Sequence, residues 1–589
     1  MYSPTRILAL AVLIATAVVA GCHFTQQPLP TDAGSICATS LTSTEFNSWF
    51  ESGAVSLNGA VKPANSVLFP DVPNCSFYKW SEQMFLWLTS PAPPRYGSGG
   101  LVLNTPAFFD VSLPDSSGQR HFVPHTSGAI RAFNLRTAQR GVLDLPIILE
   151  RKTLRMLEII PPVLSPSGKQ LVMDGAGNEV EVGSVRSAQD NQPVLLDSSG
   201  KEIKAPRAIL HSKAAKTIPP FEQKLNRLAE LDRMAIDKSE LVQKLVFNQK
   251  FVLLDLFGHF IETEQGQADG GVLMAQNGSL VYYALIVNNV FALYRTMQGV
   301  TVPAGTRFPL TQTDLNAVTA FAAAHGQPPV IDPEALAIEI KSSWVEAAGL
   351  IDADKFIQMQ AIVPTYDKSN PNDWVPNGTK TVTLAMTGMH IVGSTGSTNP
   401  ANSTNHGHPE MLWATFEHLS NDPPAEYTYA KTPSGTTTVP QNTIGNWVFC
   451  GNGAAVPFNE MRMIMGGPNG DHIVANTAAN PSFTISPSNI LRTMPFGLDG
   501  SSATGNAEVI SINGTVRSLL DPADIRRNYF HEGTTWTIFG ASPPSSQVGT
   551  NKLENTTMET FFQGNNCFSC HHTNTTTVSH VFNDTKPLF

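Results

Sequence analysis

Four times between positions 171 and 278 a short apolar run ends in a polar turn that carries glycine. The runs are Leu171-Val172-Met173-Asp174 before Gly175 and Gly177, Val194-Leu195-Leu196-Asp197 before Gly200, Val252-Leu253-Leu254-Asp255 before Gly258, and Gly271-Val272-Leu273-Met274 before Gly278. Such runs are too short for stable helices, and glycine supplies the backbone freedom of a tight turn. Each unit therefore reads as a β-hairpin. Their spacing is irregular, so no propeller or solenoid is implied. With 44 Gly, 43 Pro and only 15% charged residues, the rest of the 589-residue chain reads as ordered and loop-rich. A chain of this length is expected to form about two to four domains.

Helical signals are fewer. Trp80, Met84 and Trp87 fall at i, i+4 and i+7 and predict an amphipathic helix ended by Pro91, Pro93 and Pro94, with its aromatics in the core. Pro220 to Leu245 is rich in Leu, Lys, Glu and Arg and reads as helical. Thr311 to Asp314 precedes a helix from Leu315 to Ala324. Asp332-Pro333-Glu334 has the look of a helix start, running through Ile338, Lys341, Trp344 and Val345 to Gly349. Strands rich in Thr, Val and Ile follow from Thr379 to Pro440, broken by the polar loop Asn402 to His408. The expected class is α+β: a large, strand-rich mixed body with short helices. Expected boundaries are 46–300 for a strand-rich domain with a helical insertion near 218–245, 301–375 for a helical segment, 376–545 for a mixed β domain, and 546–589 for a small C-terminal segment.

A net charge of -10 spread over the chain, with no Lys/Arg run, excludes a nucleic-acid footprint. The first 21 residues place Arg6 before the apolar run Ile7 to Ala20, too short to span a bilayer, and predict a signal peptide. Val19-Ala20-Gly21-Cys22 resembles the bacterial lipobox. That resemblance implies a lipidated Cys22, a tether over 22–45, and an exported protein anchored through acyl chains, with His23 favouring the outer membrane. No later apolar run is long enough to span. An oxidising compartment permits disulfides, and Cys37 with Cys75 is the preferred pair, although sequence does not fix connectivity. Cys450 is then odd, and is expected to be buried rather than reactive.

Cys567-Phe568-Ser569-Cys570-His571 carries the chemistry. Cys-x-x-Cys-His is the attachment signature of c-type haem: two thiols add to the vinyl groups and the adjacent imidazole ligates the iron. A redox pair would open a helix in a βαβ unit, and a zinc site would need a second cysteine pair. Together with Asn555 to Phe562, Gly388-Met389-His390-Ile391 and Trp413 to His418, the motif resembles functionally uncharacterised bacterial monohaem c-type cytochrome lipoproteins. The resemblance implies one covalent haem c held by Cys567, Cys570 and the proximal ligand His571.

Only 18 residues follow His571 and none is methionine, so a sixth ligand has to come from the tail or the upstream body. The candidates are His580, His418 and His390, with Met461, Met463, Met465 and Met494 as weaker ones. His406-Gly407-His408 reads as a solvated loop, with a metal pair as the alternative. Arg492, Arg526, Arg527 and Tyr529 are candidate partners for haem propionates. No nucleotide loop, His-Glu-x-x-His or nucleophile elbow is present. The expected role is one-electron transfer to or from a periplasmic or surface redox protein. The alternative is a haem-dependent oxidoreductase acting on peroxide, dioxygen or a small substrate at an open iron site.

Overall fold

The computed structural model describes residues 29–589 apart from the internal positions 71–74, 98–99, 114–118, 127–128, 136–142, 144, 146, 150–155, 188–192, 213–221, 224–225, 227–237, 248–249, 262–270, 398–406, 467–470, 478, 497–501, 543–545, 554, 562, 564–566, 570 and 572. Cys22, Cys570 and His406 thus lie outside the described residues. The fold is α+β and rich in strand.

The four hairpins form. Met173 is the last residue of a strand pairing with Glu179–Ser187, Leu196 bridges Glu202 across the second turn, Lys250–Asp255 pairs with Phe260–Ile261, and Met274 bridges Leu280 across the fourth. In three of the turns the aspartate organises the backbone as much as the glycine does. Asp174 Oδ1 accepts from the Ala176 and Asn178 amides, and Asp197 Oδ1 from those of Ser199 and Lys201. Asp255 Oδ1 accepts from Phe257 and His259. The glycine three places on takes a positive φ of 83°, 84° or 98°. With Ile147–Leu149, Met156–Ile160 and Leu241–Phe247 the first three hairpins build a five-stranded and a three-stranded sheet around their own apolar cluster, which includes Val172, Leu195, Leu241 and Leu254, while Gly271–Val272 of the fourth joins the large sheet.

The remainder is organised by one 14-stranded sheet. Its central path runs through β1 (Phe108–Val111), β2 (Tyr282–Asn288), β3 (Ile338–Glu346), β4 (Asp373–Thr395), β5 (His408–His418) and β6 (Tyr529–Thr537), each antiparallel to the next. The expected boundaries near 300 and 375 therefore do not divide the fold: β2, β3 and β4 come from three expected segments and pair side by side. The helix expected after Asp332 is also absent. Pro333–Ala335 makes one 3-10 turn, and Ile338–Glu346 is β3. Asp332 does not cap it, because its carboxylate is held by Arg95 and Tyr96. Ile338, Ile340 and Ser342 satisfy a period of two as well as they suit a helix, and pairing on both edges decides for the strand. Likewise Leu241–Phe247 is a strand where a helix was expected, and most of 213–237 lies outside the described residues.

Opposite faces of the sheet bear different loads. On one face lie α1 (Ser43–Trp49), α2 (Cys75–Leu88) and, late in the chain, α5 (Ala503–Leu519), with α3 (Asn289–Met297) and α4 (Gln312–Ala324) between them in sequence. The Cys37–Cys75 disulfide ties the start of α2 to the turn Ile36–Thr39. Trp80 crosses β4 at Gly393, where a Cβ would come within 2.8 Å of its ring, and Phe85 stacks on Phe416 at 4.3 Å. Trp80, Met84 and Trp87 are all buried, so α2 is a core helix remote from the haem motif. On the other face the stretch from Leu553 onward lies across β3, β4 and β5. It approaches closest at Gly388, where a Cβ would sit 2.5 Å from the Asn555 amide. Its end docks on α3, where Arg295 Nε donates to the Phe582 carbonyl at 2.7 Å and Phe291 meets Phe582 edge-on at 5.1 Å. Among the described residues no helix is long and apolar enough to cross a membrane.

Candidate haem-attachment site

Cys567–Ser569 forms a short 3-10 turn, and the His571 amide donates back to the Cys567 carbonyl at 3.1 Å. This brings one thiol and the imidazole of the motif to the same turn. His571 Nδ1 lies 2.6 Å from the Val578 carbonyl oxygen. A carbonyl only accepts, so Nδ1 carries the proton and Nε2 is the basic nitrogen. Nε2 makes no hydrogen bond among the described residues. Two rings flank this imidazole: Trp413 at 4.2 Å and His580, stacked within 16° of parallel, at 3.9 Å. Phe568 is fully buried behind them, edge-on to Trp413 at 6.2 Å. Burial, then the neighbouring His580, hold the His571 pKa well below the ordinary histidine value, so the ring is neutral as an iron ligand must be. A neutral imidazole with Nδ1 anchored on a backbone carbonyl and Nε2 free of hydrogen bonds among the described residues is a donor suited to a haem iron, and apolar walls stand beside it. Cys567 and His571, the chemically active motif residues among those described, suit a haem c.

The three histidine candidates for the second axial position are differently placed. His580 is stacked face to face with His571, an arrangement with no room for a porphyrin between the two rings. His418 points to the helix-covered face, stacked on Phe356 at 3.6 Å. Its Nε2 donates to the Lys355 carbonyl and its Nδ1 accepts from the Ser420 amide and hydroxyl. Burial lowers its pKa to about 3. It is a satisfied core histidine. His390 lies on the haem-motif face, but its Nδ1 is 2.7 Å from Thr415 Oγ1 and its Nε2 is 2.7 Å from Glu559 Oε2. Met461 and Met463 are core residues, and His408 is buried against Glu410.

The propionate candidates are also spread out. Arg526 is buried in an ion pair with Asp524, and Tyr529 donates to the Met386 carbonyl on the helix face. Arg492 lies among buried acids. Sequence reasoning missed Lys341 and Glu559, which form an ion pair of 2.9 Å beside His390 and both act electrostatically on His571. The signal was present in the alternation of β5. Trp413, Thr415 and Glu417 share one face, where they meet His571, His390 and Thr556 respectively.

At the Glu417 end of that row sits a buried polar cluster. Glu417, Asp422 and Glu532 are each 0% exposed and share one cation, Arg492. Glu417 Oε1 accepts from the Thr556 amide and hydroxyl, at 2.5 and 2.6 Å. Arg492 Nε lies 3.5 Å from Asp422 Oδ1 and 3.9 Å from Glu417 Oε2, too far to bond either. Burial, then the charge of Glu417, push Asp422 up to about 7 and Glu532 well above the ordinary glutamate value. Cys450, buried beside this cluster, has its thiol pushed up to about 12 by burial and then by Asp422, which makes it inert. Among the described residues no three His, Cys, Asp or Glu side chains form a metal-binding group. Comparison with known protein families, curated proteins and solved structures finds no match to this chain.

Proposed function

We propose that this chain is an exported lipoprotein that carries one covalent haem c on Cys567 and Cys570 and transfers single electrons. The observation that carries the reading is His571, with Nδ1 donating to Val578 and Nε2 left for iron. Haem c supplies a one-electron iron couple when bound. The Val578 carbonyl fixes the imidazole tautomer and raises its basicity, while Trp413 and His580 restrict its rotation. Phe568 and Trp413 keep water from one side of the ligand. Cys22 is the proposed lipid anchor, which holds the body at the outer membrane, and a periplasmic or surface redox protein is the proposed partner.

A second reading, a haem-dependent oxidoreductase with an open iron site and a small-molecule substrate, is favoured by one observation. His580, His418 and His390 are each already committed to other contacts. The test is a denaturing gel stained for haem, run on the native chain and on a Cys567→Ala, Cys570→Ala variant. The native band is expected to stain and the variant band to be lost; a stained variant overturns the attachment. Addition of carbon monoxide to the reduced native protein then separates the readings. An unmoved low-spin spectrum supports the electron carrier, and rapid binding supports the open site.

A further inference from the structure

The row Trp413, Thr415, Glu417 connects the haem motif with a group of acids that the electron-transfer reading leaves unused. From Trp413 to Glu417 the strand advances roughly 13 Å. At its far end three carboxyls are sealed away from water with one guanidinium, so full ionisation would leave two uncompensated negative charges in the interior. Neither oxygen of Asp422, neither oxygen of Glu532 and not Glu417 Oε2 has a well-formed hydrogen bond among the described residues, although Thr556 and Arg492 lie near Asp422, and Glu417 near Glu532. The buried Arg492 Nε and Asn421 Oδ1 are unbonded too. Such a set is accommodated only by retaining protons and by admitting water. Arg492 also lines a narrow cleft with Pro424, Tyr427, Trp447, Pro495 and Phe496.

We propose that this carboxyl cluster takes up protons from water when the haem iron accepts an electron, so that electron uptake and proton uptake are linked. The inference rests on the haem reading above. With haem bound, a one-electron donor protein would supply the electron that takes iron(III) to iron(II), and the cluster's carboxylates would take up from solvent a fraction of a proton per electron, about one half at most for a tenfold change in affinity. Glu417 links the two places physically, because it holds Thr556 of the segment that leads into the motif. A unit charge placed roughly 13 Å from a carboxyl, in a medium of effective dielectric about 20, would raise its proton affinity roughly tenfold, and a longer separation would raise it less. The groups facing Asp422 and Glu532 are Glu417 on β5, Arg492 on its loop, Thr556 on the C-terminal stretch and the Cys450 thiol, with the Tyr427 hydroxyl beyond Arg492. Burial pushes the thiol and the hydroxyl each up to about 12, so neither titrates near neutrality.

The test is a spectroscopic redox titration of the full-length haem-loaded protein over a range of pH, with an alkaline pyridine spectrum on the same sample to count haem. The midpoint potential is expected to fall as pH rises through about 7, over a span equal to that tenfold change in proton binding. In an Asp422→Asn, Glu532→Gln variant the fall is expected to vanish with the absorption spectrum unchanged. A pH-independent potential in the native protein overturns the inference while leaving the haem reading intact. So does an undiminished fall in the variant, which would place the proton elsewhere. A chain without covalent haem overturns both.

Discussion

One strand, β5, separates two chemistries. Its even-numbered residues Leu412, Ala414, Phe416 and His418 face α2 and are sealed by rings: Phe416 between Phe85 and His531, His418 on Phe356. Its odd-numbered residues Trp413, Thr415 and Glu417 face the C-terminal stretch and meet a candidate iron ligand, a His390–Glu559–Lys341 network and a strained acid cluster. Both faces are buried, so burial alone does not tell them apart. The difference lies in satisfaction. His418 has both ring nitrogens bonded, whereas the acids opposite keep unbonded oxygens and raised proton affinities.

Deleting rings on the helix side should cost the most stability and the least function. Phe416→Ala removes a stacked, fully buried ring and is expected to destabilise the protein by about 3–5 kcal/mol in urea unfolding, with the redox potential of whatever remains folded unchanged. A shifted potential would show that the two faces are not independent.

The acid cluster should instead reveal itself through pH. Asp422 has a folded pKa raised to about 7 from an ordinary value of 3.8. Its contribution to stability is therefore fully present below the unfolded value and is lost as pH rises through about 7. Removing the charge should remove that loss. Asp422→Asn is expected to gain stability relative to the native chain between about pH 4 and 8, by on the order of 4 kcal/mol. A difference between the two chains that does not vary with pH would mean that Asp422 stays ionised in the fold.

A matched pair of glycines on β4 gives the smallest and sharpest contrast. A methyl at Gly393 collides with Trp80 and Ile338 on the helix side, and one at Gly388 collides with Asn555 under the C-terminal stretch. Each alanine variant is expected to cost about 1–3 kcal/mol. Limited proteolysis should then find Gly388→Ala cleaved near 553–566 and Gly393→Ala cleaved near the N-terminal helices. Identical cleavage patterns would dissolve the distinction.

How much of this was legible in the sequence follows from what each feature depends on. The hairpin turns were readable because aspartate and glycine act within five residues. The Cys37–Cys75 bridge forms as the preferred pairing, which sequence alone left open, and Cys450 is buried as expected. Ile338–Glu346 misled because its apolar residues fit a helical and a strand period equally, and only its neighbours in the sheet decide. The motif was readable as a string. The Val578 carbonyl, Lys341 and Trp413 were not, since β3, β5 and the C-terminal stretch meet only in three dimensions. His418, closing an aromatic run, read as a hydrogen-bonded core residue with a haem-pocket role as the alternative, and strand parity turns it away from the motif into the core.

The account stands on His571 and His418 having opposite roles, and absorption spectra of His571→Ala and His418→Ala, recorded side by side on haem-stained protein, test it most directly. The expected result is that haem stays attached in both, while only His571→Ala changes the iron's ligand-sensitive bands and His418→Ala keeps the native spectrum. A native spectrum in His571→Ala, or an equal change in His418→Ala, would contradict it.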